Sequence, residues 1–133
     1  MTGDADVAKV AEINLDRYKT ISDSITTSNV VITYERIEHI NERHPGDWEN
    51  YGAFVESTVT DPDFILRDKN PDTAVCIKQI EVDGETKFMR TTLRLHTSND
   101  ESGKENSILT FQKINKKEYG RLSRNEKVVY RKE

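Results

Sequence analysis

Between residues 33 and 44 the apolar positions recur at helical spacing. Ile37 and Ile40, with His44 in line, share one side of a wheel that advances about 100° per residue. Thr33 is placed to cap this helix, and Glu35 in the first turn suits the positive end of its dipole. Pro45-Gly46 stops it. Upstream, Val30–Ile32 reads as a short strand or lead-in. Val10, Ile13, Leu15, Tyr18 and Ile21 form a weaker pattern that admits either a strand or a short helix, and residues 1–8 read as a loose end. Downstream, the pattern predicts a second helix from Trp48 to Ser57, a turn at Asp61–Asp63, a strand at Phe64–Leu66 and a turn at Asp68–Asp72.

From Thr73 the period becomes two. Strands are predicted at 73–82, 86–97, 106–114 and 127–131, with Lys116–Arg124 a short helix or a turn. Asp83-Gly84 marks a tight hairpin, and Asn99–Gly103 a longer polar one. Helices first and antiparallel strands afterwards make an α+β domain.

Strand parity then sorts the side chains. Met89, Thr91, Leu93 and Leu95 point one way; Phe88, Arg90, Thr92, Arg94 and His96 point the other. Leu109 and Phe111 share a side opposite Ile108, Thr110 and Gln112, while Val75 and Ile77 oppose Cys76 and Lys78. The expectation is one apolar face beneath the helices. The second face would carry Lys78, Arg90, Arg94, His96 and Thr110, with Phe88 as an aromatic platform. Cations, a hydroxyl and an imidazole suit a phosphodiester, because cations stabilise charge that builds on phosphorus and histidine exchanges protons near neutrality. The same alternation also describes a solvated sheet face protected against aggregation. On the helix, His39 and Arg43 share a side turned away from Ile37 and Ile40, free to face a cleft or plain solvent.

Length fits one domain, with enough burial to dispense with disulfides or a structural metal. The single cysteine, Cys76, cannot form an internal disulfide and favours a reducing, cytoplasmic setting. No apolar run is long enough for a membrane span, and MTGDADVAKV lacks the features of a signal peptide. Charge is split: residues 1–86 hold 8 Lys/Arg and 18 Asp/Glu, residues 87–133 hold 12 and 6. A basic C-terminal half suggests a polyanionic partner, unless the two halves interleave in space. No CxxC, HExxH, EF-hand loop or phosphate-cradling glycine loop occurs, and His39 and His44 are poorly spaced for one metal ion.

The string Thr33-Tyr-Glu-Arg-Ile-Glu-His39-Ile-Asn-Glu-Arg43-His44-Pro45-Gly46-Asp47 resembles the "HIxxRHPGD" helix of the phage-associated barnase–EndoU–colicin–RelE-like nucleases. The resemblance continues through Tyr51, Asp61–Ile65, the Lys78 strand, Asn106–Phe111 and Val128–Arg131, and so covers about residues 26–133. It implies N-terminal helices packed on a four-stranded antiparallel sheet, with residues 1–25 a partly ordered extension. It also implies a metal-independent endoribonuclease without cofactors, associated with toxin systems, phages or other mobile elements. The family's helix His and Arg map onto His39 and Arg43, and its late-strand hydroxyl onto Thr110; Lys78 and Tyr130 match as further substrate contacts. Arg90, Arg94 and His96 rest on strand parity. RNA is then the expected partner, with a cognate antitoxin or immunity protein as a second. Expected catalytic residues are His39, Arg43, Thr110 and Arg94; expected substrate contacts are Lys78, Arg90, His96 and Tyr130. The alternative is a non-catalytic module that binds RNA or protein through the same surfaces.

Overall fold

The computed structural model describes residues 7–133. Of the loose end expected at 1–8, residues 1–6 lie outside the described residues, and Val7 and Ala8 are instead part of a strand. In chain order the elements are β1 (Val7–Glu12), α1 (Leu15–Tyr18), β2 (Asn29–Thr33), α2 (Tyr34–Arg43), α3 (Asp47–Tyr51), α4 (Val55–Thr60), β3 (Phe64–Arg67), β4 (Thr73–Val82), β5 (Glu85–Arg94), β6 (Asn106–Ile114), α5 (Lys116–Ser123) and β7 (Val128–Arg131). All seven strands join one sheet in the order β1-β2-β6-β5-β4-β3-β7. The α+β class holds. The four-stranded antiparallel sheet does not: β1 and β2 extend it beyond β6, β3 is inserted between β4 and the edge strand β7, and β2 runs parallel to β6 through Val30↔Asn106 and Val31↔Ser107.

Local sequence accounts for most elements. Thr33 Oγ1 accepts the Arg36 backbone N–H at 3.0 Å and so caps α2. The β4–β5 hairpin closes on Asp83 and Gly84, both at positive φ (51° and 80°), the geometry a two-residue hairpin needs. The single helix predicted over Trp48–Ser57 is instead α3 and α4 joined by a 3₁₀ turn at Gly52–Phe54. A Cβ at residue 52 would lie 3.0 Å from the Trp48 ring, so the bare glycine lets the chain turn tightly against the indole.

Two cores sandwich the sheet. The larger lies under α1–α4 and gathers Tyr18, Val30, Ile32, Ile40, Val59, Ile65, Cys76, Met89, Leu93, Ile108 and Phe111. Ala11, Ile13, Tyr18 and Ile21 are buried in it, so no break in packing falls at residue 25. The smaller lies on the opposite face, where Leu122 and Tyr119 of α5 cover Phe64, Leu66, Ile77, Phe88 and Ile114. Past the end of β2, the free edge of β6 meets α3, and the Asp47 carboxylate accepts the Lys113 backbone N–H at 2.8 Å.

Candidate nucleic-acid interface

The antiparallel register of β4, β5 and β6 sets three rows of side chains on the face opposite α1–α4: Ile77–Arg90–Gln112, Val75–Thr92–Thr110 and Thr73–Arg94–Ser107. α5 roofs one end of this face and leaves Arg90, Thr110 and Gln112 half-exposed. Arg90 has no hydrogen-bond or ion-pair partner among the described residues. A guanidinium there, beside hydroxyls and an amide, offers a planar fork to an anion. Thr92 and Gln112 were not singled out from the sequence, although their parity with Arg90 and Thr110 was visible.

Several expected members of this face are elsewhere. Lys78 pairs in register with Met89, not Arg90, and belongs to the helix side with Cys76. Its ammonium donates to the Asp61 backbone oxygen (2.7 Å) and carboxylate (3.1 Å), and its side chain is only 14% exposed. Lys132 reaches the same carboxylate at 2.8 Å, and the two ammonium groups hold Asp61 below the usual carboxylate range, Lys132 most strongly. Lys78 thus locks the α4–β3 turn. Phe88 is no open platform: it is buried against Tyr119, with ring centroids 4.6 Å apart. Tyr130 packs against the larger core, and its ring meets the Arg17 guanidinium 5.9 Å from its centroid. A bulge between Ile108 and Thr110 breaks the assumed alternation, so Ile108 joins Phe111 inside and Leu109 does not.

His96 is buried and doubly held. Its Nε2 lies 2.6 Å from the Glu101 carbonyl, so Nε2 carries a proton, since a carbonyl can only accept. Its Nδ1 lies 2.6 Å from Thr26 Oγ1. Asn106 completes the junction: its side chain accepts the His96 N–H at 2.7 Å and donates to the Thr27 carbonyl at 2.8 Å. Arg94 is likewise engaged. Its guanidinium meets both Asp100 carboxylate oxygens, at 2.9 and 3.2 Å, and the Leu95 carbonyl. Asp100 also accepts the Thr97 N–H at 2.9 Å. That backbone bond, then Arg94, holds its carboxyl below the usual range.

The helix pair forms a separate group. Ile40 is 1% exposed and anchors α2 on the larger core, whereas His39 and Arg43 are exposed on its outer side. Thr33, Glu35, Arg36 and His39 line a shallow groove of about 340 Å³. His44 is half-buried and ends the helix, its N–H donating to the Ile40 carbonyl at 2.7 Å. The sheet therefore stands between His39–Arg43 on one layer and Arg90–Thr110 on the other. Among the described residues no three His, Cys, Asp or Glu side chains cluster as a metal site.

The split charge of the sequence is spatial. Residues 34–61, spanning α2 to α4, hold seven Asp/Glu and two Arg. Residues 116–127, α5 and the turn after it, hold five Lys/Arg and two Glu on the opposite face. A polyanion is attracted to the α5 side and repelled from the α2 side.

A family model described as phage-Barnase-EndoU-ColicinE5/D-RelE like nuclease2 matches residues 5–131. The chain belongs to this family. Its coarse function is accordingly that of a nuclease family, and the match takes in β1 and α1 as well as the later elements. No curated protein and no solved structure matches the chain. No helix of the described residues is long and apolar enough to cross a membrane.

Proposed function

We propose that the chain is an endoribonuclease that binds RNA on the sheet face around Arg90 and cleaves it by attack of the 2′-OH on the adjacent phosphate. The products are a 2′,3′-cyclic phosphate and a free 5′-OH. The nucleophile comes with the substrate, so the protein need supply only positioning, charge and proton transfer. The observation that carries this reading is Arg90: an unpartnered guanidinium on the half-exposed part of the sheet, flanked by Thr92, Thr110 and Gln112. Arg90 would hold the scissile phosphate and Thr110 would donate to one of its oxygens. Arg94 would add charge to a neighbouring phosphate once Asp100 yields it.

The family resemblance implies a second arrangement, with the scissile phosphate on the α2 side, His39 as general acid or base and Arg43 as its cation. A phosphate held by Arg90 is beyond the reach of His39 across the sheet, so the two groups make separable predictions. Incubation of a short single-stranded RNA with the protein in EDTA should give cyclic-phosphate products. Arg90→Ala should lower kcat/KM about 100-fold. Full loss in His39→Ala with Arg90→Ala unaffected would move the site to α2.

One observation favours the second reading, a non-catalytic RNA-binding module. His96 is the histidine that strand parity brings to this face, and both its ring nitrogens are already engaged. Binding that weakens steeply with salt, with no products from any RNA, would establish that reading. The toxin or mobile-element setting, a cognate inhibitor and a cytoplasmic location belong to the same proposal.

A further inference from the structure

We infer that the solvent side of α5 binds the sugar–phosphate backbone of RNA, extending the Arg90 face into one continuous track. This rests on the reading above that the substrate is RNA, and it adds a second contact surface outside the candidate site.

The helix is amphipathic in a specific way. Tyr119 and Leu122 pack it onto Phe64, Ile77, Phe88 and Ile114. On a helical wheel Lys117, Arg121 and Arg124 fall within roughly 60° of one another, on the side opposite those two anchors. All three are exposed. Arg121 Nε donates to Glu118 at 2.7 Å, while Lys116, Lys117 and Lys127 have no ion-pair partner among the described residues. The same holds for Arg124. The guanidinium of Arg124 folds back along the helix, since a Cβ on Gly120 would lie 3.3 Å from its Nη1. Three cations in line, one of them lying flat on the helix, suit a row of phosphates better than a single anion.

Position ties this stripe to the sheet face. Asn115 alone separates β6 from α5, and its side chain caps the helix by accepting the Glu118 N–H at 2.8 Å. Arg90 is two residues along β5 from Phe88, on which α5 sits, a distance of about 7 Å. A strand leaving Arg90 towards Phe88 runs onto the N-terminal turn of α5, with Lys116 and Lys117. The acidic α2–α4 layer, on the far face of the sheet, offers no such path.

The test uses the full chain and the double variant Lys117→Glu/Arg124→Glu, whose side chains are exposed and anchor nothing. Affinity for a 20-nucleotide single-stranded RNA is measured by fluorescence anisotropy at several salt concentrations, beside a dinucleotide. The variant should bind the 20-mer at least about tenfold more weakly. Its salt slope should be shallower by roughly 1.4, at about 0.7 for each phosphate no longer neutralised. Dinucleotide binding and turnover should be unchanged. Wild-type affinity and slope in the double variant would overturn the proposal. Arg90→Ala, measured in parallel, separates the two readings. If it alone weakens binding, the α5 surface fails and the sheet face stands. If the α5 variant alone weakens binding, the sheet-face reading fails. If neither does, both fall.

Discussion

Arg94 and Asp100 meet as a two-pronged pair, Nη2 to Oδ1 at 2.9 Å and Nη1 to Oδ2 at 3.2 Å, at the point where β5 gives way to its loop. The carboxylate occupies the fork that a phosphate would otherwise take. Asp100→Asn removes the negative charge but keeps the acceptor for Thr97. This variant should bind single-stranded RNA more tightly, by a few-fold, with its melting temperature lowered by a few degrees. Unchanged or weaker binding would show that Arg94 serves only the loop.

Lys78 and Arg90 sit one residue out of register on neighbouring strands and therefore on opposite faces. Their substitutions should differ in kind. Lys78→Met should lower stability by about 1–3 kcal/mol, because the Asp61 carbonyl and carboxylate lose a donor. Arg90→Ala should cost about 0.5 kcal/mol or less in urea unfolding, since no partner is stranded. RNA affinity should follow Arg90 and not Lys78.

Acid should loosen the turns before the sheet. Asp61 and Asp100 both have carboxyls held below the usual range in the folded protein, so the unfolded chain binds their protons more readily. Their stabilisation is fully present above the ordinary carboxylate range and is lost as pH falls through the lowered folded values. Stability should be flat from neutrality down to about pH 5 and fall below about pH 4. A titration of melting temperature that declines well above pH 5 would assign the loss to other groups.

Cys76 should be silent to thiol reagents until the protein unfolds. It is fully buried beside the Tyr18 hydroxyl at 3.2 Å, and burial pushes its thiol up to about 12. Ellman's reagent should read less than a tenth of one thiol in buffer and one in guanidinium. Tyr18→Phe should cost about 1–2 kcal/mol, because the buried Val59 carbonyl loses a donor at 2.6 Å.

Much of the local structure was legible in the chain. The cap at Thr33, the stop at Pro45-Gly46, the Asp83-Gly84 hairpin and strand β4 all follow from side chains acting within a few residues of themselves. Parity also put Arg90, Thr92 and Arg94 on one side of β5 and Met89, Thr91 and Leu93 on the other, as the register has them. It failed at Leu109, where a bulge inserts one residue into β6, and a bulge leaves no mark in a hydrophobic pattern. It failed again for Lys78, because parity within a strand does not say which parity its neighbour shares.

The sequence by itself determined the class, the helix bearing His39 and Arg43, the alternation along β5 and the excess of cations near the C-terminus. Each is a property of residues close together in the chain. Only the tertiary structure decided which of these meet. Long-range pairing made β1 and β2 part of a seven-stranded sheet, engaged His96 with Thr26, and set α5 over Phe88. It put the sheet between His39 and Arg90, because α2 buries Ile40 on one core while Arg90 borders the other. Such contacts arise from partners tens of residues apart, chosen by which apolar surfaces can be buried together, and no local pattern encodes that choice.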